Sequence, residues 1–227
     1  MKKLIYAAVA VLAVAASCTK DETKNDSDAP NGYKVIDLTA ECGLYMLDRN
    51  VGAKTPQEIG NFYQYGKNVP VAAGNDTKVN ANYDPDWSAA SEGYADWKVA
   101  ANTPCPDGWS IPDDAQMTAI NSILTAIGDY EFDMATEEDY NAAVALLEKM
   151  SLVKTGLFDK THDGSAEDKA KRYPDGEFFW SCYEYVNSNG AACVGSYQNS
   201  WAPIYSKKDS GLQYDAAVPV RCVKAAE

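Results

Sequence analysis

Two stretches of the chain carry helical periodicity. After Ile111-Pro112, the apolar residues Met117, Ile120, Ile123, Leu124 and Ile127 recur three and four apart, which predicts a helix with one apolar face. Asp113 is placed to cap it, Gln116 stands at the capping-box position, and Gly128 is the expected stop. A second helix is predicted from Thr136, with acids in its first turn and Val144, Leu147 and Met150 turned inward. Elsewhere the apolar runs are short and rich in aromatic and β-branched residues. Residues 33–38 and 44–47 read as strands with Gly43 at the turn, and 61–65 as a third. Residues 66–104 hold no period and much Asn, Asp, Ala and Gly, which reads as one long irregular loop. Past the second helix, strands are predicted at 152–158, 177–185, 191–197, 200–205 and 217–223, with Asn187 to Gly190 as a hairpin turn. Helices early and strands late make an α+β chain, with residues 33–227 as a single domain.

The N-terminal pattern is of another kind. Lys2 and Lys3 precede an apolar run from Leu4 to Ala16 that is too short to span a bilayer and reads as a secretory signal. It ends in Ala15-Ala16-Ser17-Cys18, which resembles the lipobox of bacterial lipoproteins. The resemblance implies removal of residues 1–17 and a lipid on Cys18. Ordinary signal cleavage, with Cys18 as a spare thiol, is the alternative. Residues 18–32 are polar and close on Pro30-Asn31-Gly32, as a flexible tether would. Lys20-Asp21-Glu22 is similar to the export signal that places Bacteroidetes lipoproteins on the outer face of the outer membrane. The same three charges also suit a plain solvated linker.

Composition narrows the function classes. Hydrophobic residues at 46% of 227 exclude a mostly disordered chain. A net charge of −13 argues against nucleic acid as a partner, since that needs a basic footprint. Membrane contact is expected through the lipid on Cys18 only. Fifteen Tyr and five Trp supply aromatic surface for a core or for a binding face.

Four segments together carry a wider resemblance: Gly43 to Ala53 (GLYMLDRNVGA), Gly60 to Gly66 (GNFYQYG), Pro104 to Pro112 (PCPDGWSIP), and Glu177 to Ser181 (EFFWS) with Val220 to Val223 (VRCV). In this order they resemble the Fibrobacter succinogenes major paralogous domain, found in secreted and surface proteins of Bacteroidetes and relatives. The resemblance spans roughly residues 33–224. It implies a C-type-lectin-like fold: two helices, a small antiparallel sheet and long irregular loops. It implies no common activity. Under it, Trp109, Phe179, Trp180 and Val220 are expected in the core, and residues 129–175 and 67–103 depart from the pattern.

Apart from Cys18, five cysteines remain, an odd number in an exported chain. The resemblance implies that Cys105 and Cys222 join the two ends of the domain. Cys182 and Cys193 flank the predicted hairpin turn and pair if the register brings them opposite. Cys42 is then the leftover thiol. The alternative is that all five stay reduced as small core residues.

No motif for chemistry stands out. The single histidine, His162, lies in a polar loop, no serine sits in a G-x-S-x-G elbow, and no His/Cys cluster suits zinc. Asp159, Thr161, Asp163 and Gly164 open like a calcium loop, but Ala170 stands where a bidentate glutamate is needed. The sugar-binding triplets of calcium-dependent lectins are absent, so no cofactor is expected and calcium has no motif behind it. What remains is aromatic and amide residues, the usual material of a sugar site. Trp87, Trp97 and Trp201 are expected as exposed ligand contacts, with Tyr83, Tyr197 and Asn199 beside them. The expectation is a non-enzymatic surface lipoprotein that binds a glycan or a partner protein. The rivals are an accessory or tip component of a fimbria or adhesin complex and, further off, a formylglycine-generating enzyme. The enzyme would need a reactive cysteine pair, which Cys182 and Cys193, eleven residues apart, do not resemble.

Overall fold

A computed structural model describes residues 29–87, 97, 102–130, 132–160, 170–173, 177–184, 191–197, 200–205 and 215–226, with backbone alone for the strands between 177 and 205. The signal segment, Cys18 and most of the tether lie outside these residues. So do His162, Asn199 and the turn at 187–190. The last tether residues are built into the fold: Pro30–Gly32 form a 3-10 turn, and Arg49 donates to the Gly32 carbonyl while stacking on Tyr33. Among the described residues no helix is long and apolar enough to cross a membrane.

Strand β1 (Val35–Leu38) leads through a single helical turn, α1 (Thr39–Cys42), into β2 (Leu44–Leu47). Gly43 closes that turn at φ 69°, a left-handed conformation that glycine adopts without a Cβ clash. Next come β3 (Asn61–Gln64) and the two-residue β4 (Ala72–Ala73), then the helices α2 (Asp114–Leu124), α3 (Ala126–Tyr130) and α4 (Glu137–Met150). The second half contributes β5 (Leu157–Lys160), β6 (Ala170–Tyr173), β7 (Glu177–Glu184), β8 (Ala191–Tyr197), β9 (Ser200–Tyr205), β10 (Ala217–Pro219) and β11 (Val223–Ala225). The class is α+β, with antiparallel pairing throughout the described ladders.

The strands divide among three sheets, ordered β1-β2-β11, β4-β3-β10-β5-β6 and β7-β8-β9, where one small sheet was expected. The C-terminal segment predicted as one strand causes part of this split. Pro219 has no N–H to extend the ladder of β10, and the chain crosses to the first sheet before β11 begins. Residues Val220 to Val223 are fully buried in that crossing.

The expected cap at Asp113 forms, and the second helix starts at Thr136 as predicted, with a capping box of its own. Asp113 accepts from the Gln116 amide at 2.8 Å while its own amide donates to Gln116 Oε1, and Thr136 with Asp139 repeats the box. Gly128 is not the stop: after a break at Thr125 the chain resumes a helix through it, and the turn instead uses Asp133 at φ 56°. In α4 the buried stripe is Ala143, Leu146 and Met150, while Leu147 is half-buried and Val144 lies at the edge. The 3.6-residue period centres the stripe one position away from the predicted one.

Met117, Ile120, Leu124, Leu146 and Met150 pack on Leu38, Leu44, Met46 and Val223 of the first sheet. A second cluster joins Leu47, Tyr63, Tyr65, Trp109, Ile111, Val218 and Val220 beneath the helix approach. The third, around Phe62, Val71, Tyr83 and Phe158, fills the far side of the five-stranded sheet. Cys105 and Cys222 form a disulfide with a Cα–Cα distance of 5.8 Å across 117 residues of sequence. Closing a loop of that length stabilises by about 5 kcal/mol on the chain-entropy model. Cys42 is the free cysteine among the described residues.

Candidate functional site

The long loop folds back on the sheet, and this reassigns the aromatics expected to meet ligand. Trp97 is 1% exposed, with its ring 4.8 Å from that of Tyr65. Tyr83 is buried beside Phe62 and Phe158. Both are core residues. They sit in loop sequence, but a loop of this length needs its own apolar anchors to stay on the surface it covers. Trp87 is half-buried and held on both sides: its Nε1 donates to the Tyr65 carbonyl at 2.8 Å, and Lys67 Nζ lies 4.1 Å from the ring centre. Burial lowers the Lys67 ammonium from its ordinary value, with Asp84 opposing.

Gln64 is the clasp for this loop. Its Nε2 donates to the carbonyls of Asp84 and Asp215, and its Oε1 accepts from the Asp84 amide and from Lys67. A fully buried carboxamide with all four bonds made orders the backbone on both sides of it. Trp201 and Tyr197 stand in the β8–β9 ladder, where Ser196 pairs with Trp201 and Tyr197 with Ser200. Their side chains, like Asn199, lie outside the described residues. In the β7–β8 ladder, Cys193 is opposite Trp180, and the register is irregular between Trp180 and Glu184. Cys182 is therefore not the direct cross-strand partner of Cys193.

A different region has the geometry of a binding site. A surface cleft of about 700 Å³ opens beside the β3–β4 edge, with Gln57, Glu58, Asn61, Asn75 and Lys154 among its lining residues. That volume falls within the range of small-ligand sites. Three glycines, Gly52, Gly60 and Gly74, are among its lining residues. Gly52 is at φ 85°, and a Cβ there would stand 2.4 Å from the Asn61 carboxamide. Gly60 is at φ 83°, and a Cβ there would stand 2.8 Å from the Val51 carbonyl. Both positions require glycine for the backbone angle, and Gly60 also for space, since the atom a Cβ would meet there is backbone.

The walls are fixed by hydrogen bonds within residues 50–74 and by one residue from a distant strand. Asn50 Nδ2 donates to the Ile59 carbonyl at 2.8 Å, the Asn61 amide to Val51, and the Gly74 amide to Gly60. One Glu58 oxygen accepts from the Lys54 amide at 2.8 Å. Arg172, on β6, joins the two sides. Its Nη1 donates to the Asp76 carbonyl at 2.8 Å beside the Gly74-Asn75 wall, and its Nη2 to the Thr155 carbonyl at 2.8 Å beside the Val153-Lys154 wall. The guanidinium lies 4.5 Å and 5.0 Å from the ring centres of Phe62 and Phe158, and burial lowers its pKa from the ordinary value.

Three carboxamides, one carboxylate and one ammonium around glycine backbone offer many donors and acceptors at short range. Among the described residues no group of His, Cys, Asp and Glu is arranged to hold a metal ion. The sequence reading, drawn to aromatics, missed this cleft. One signal was visible: the pair Gly-Asn occurs at 60–61 and again at 74–75, and both pairs line the site. No family model matches the chain, and no curated protein or solved structure matches it.

Proposed function

We propose that this chain is a non-enzymatic binding module that takes a glycan in the Asn61–Asn75 cleft. The observation that carries the reading is the density of carboxamides and backbone groups around a cleft of about 700 Å³. Sugar hydroxyls need paired donors and acceptors held in place, and each carboxamide provides both. Glu58 is the one carboxylate among the lining residues, whereas hydrolysis of a glycosidic bond ordinarily uses two. In the same reading the fold is C-type-lectin-like. Two long helices, antiparallel sheets and the Cys105–Cys222 bridge support it. The module is carried outside the cell on the outer membrane by a lipid on Cys18, a reading supported by the apolar run, the lipobox-like end and the Lys20-Asp21-Glu22 signal.

A glycan array probed with the purified chain, with calcium and with chelator, tests the reading. The expected result is a specific signal that Asn61→Ala and Asn75→Ala each abolish. A blank array from folded protein, or a signal indifferent to both variants, would overturn it. Loss of the signal in chelator would add calcium to the site.

A further inference from the structure

We propose that the corner between α3 and α4 is a docking surface for a basic, amphipathic segment of another protein. This surface is separate from the glycan cleft, and its residues play no part in that reading. Phe132 is 72% exposed and Met134 69%, more than the other large hydrophobic residues exposed on the described surface. They are not loose. The Asp129 carbonyl accepts from both the Phe132 and Met134 amides, at 3.1 Å and 2.9 Å, and the Asp133 amide donates to the Tyr130 carbonyl. The Thr136–Asp139 box secures the far end, and Tyr130 stacks on Tyr140 with ring centres 4.8 Å apart. A turn held this way presents two large apolar side chains to water on a backbone that is already ordered, so a partner's binding has only the side chains left to order.

Met134 also borders a groove of about 300 Å³ between the helices, walled by Ala126, Ala135 and Ala142 with Ser122, Thr125 and Asp139. Small wall residues leave room for an incoming apolar side chain. The occupant follows from charge. Residues 129–139 hold six acids, and the chain has no Lys or Arg between Lys98 and Lys149. A second copy meeting this corner through the same face would bring like charges together, and an anionic lipid surface would be repelled. A segment pairing one or two large apolar residues with Lys or Arg satisfies both features at once.

The test is a random dodecapeptide library displayed on phage and selected on the purified full chain. Enriched peptides should be basic and contain a large apolar residue. Synthetic copies should bind more weakly as salt rises. Binding should fall roughly tenfold in Phe132→Ser/Met134→Ser, and again in Asp133→Asn/Glu137→Gln/Glu138→Gln. All five side chains are exposed, so the thermal melt of Phe132→Ser/Met134→Ser should be unchanged, while the charge variant, which removes two acids from the first turn of α4, should melt slightly lower and still as a folded protein. Absence of enrichment, acidic or neutral winners, or binding indifferent to both variants would overturn the proposal. So would co-sedimentation with phosphatidylcholine–phosphatidylglycerol vesicles, or self-association by sedimentation, that disappears in Phe132→Ser/Met134→Ser.

Discussion

Arg221 Nε donates to the side-chain oxygen of Asn50 at 2.9 Å, joining positions 171 residues apart in a fully buried site. Its Nη1 also donates to the carbonyls of Leu47 and Met150, so one guanidinium ties β2, the end of α4 and the β10–β11 crossing together. Burial pulls its pKa down to about 10, with Asp48 opposing, and it stays charged at neutral pH. Replacing it removes the donor from three buried acceptors. Arg221→Met should therefore cost about 3–5 kcal/mol by urea denaturation. A loss below about 1 kcal/mol would mean that the acceptors find other partners.

Arg172 works the same way at the cleft. Arg172→Met removes one donor from each of the Asp76 and Thr155 carbonyls and frees one wall from the other. Stability should fall by about 1–3 kcal/mol. Affinity for any array-positive glycan should fall too, although Arg172 is not among the residues lining the cleft. Unchanged affinity in a destabilised variant would show that the walls hold their spacing without it.

Trp97 and Trp87 should separate cleanly. Trp97→Ala empties a fully buried site and should cost about 3–5 kcal/mol. Trp87→Ala, at a half-buried site, should cost less, and neither should change glycan affinity in protein that remains folded. Equilibrium unfolding with array binding on the same samples decides the matter. A folded Trp97→Ala variant that has lost binding would return this residue to the ligand site.

Burial, with Glu41 adding and Lys149 opposing, pushes the Cys42 thiol up to about 11. At pH 8 its thiolate fraction is then roughly a hundredfold below that of a free cysteine, and alkylation should slow in proportion. Mass mapping of iodoacetamide adducts reads this at Cys42 specifically. The sign for stability follows. Between the unfolded value near 9.0 and the folded value near 11, the unfolded chain holds fewer protons, so folding weakens as pH rises through that window. Rapid labelling at pH 8 would mean that the thiol is more accessible than its surroundings suggest.

The legible parts of this protein are those written in local hydrogen bonds. Asp113-Gln116 and Thr136-Asp139 meet three residues apart, so their helices and starting points could be read directly, as could the Gly43 turn. Most strands were legible by composition, but β4 and β6 were not and β5 begins five residues later than expected; the sorting into sheets was not legible either, because Pro219 acts only through the ladder it interrupts. The Cys105–Cys222 pairing came from a resemblance rather than from spacing.

Local pattern encodes the α+β class, the starts of both helices and an acid-rich 129–139 stretch that contains no Lys or Arg. Tertiary structure alone decided which aromatics face solvent. Trp97 is buried because Tyr65, 32 residues earlier, lies under it, and no local pattern encodes that meeting. It also made the cleft, whose walls at 52–61, 73–75 and 153–154 are brought together by Arg172 and by glycine backbone. Such contacts depend on loop closure across 32 residues in one case and 96 in the other, and periodicity carries no information over those distances.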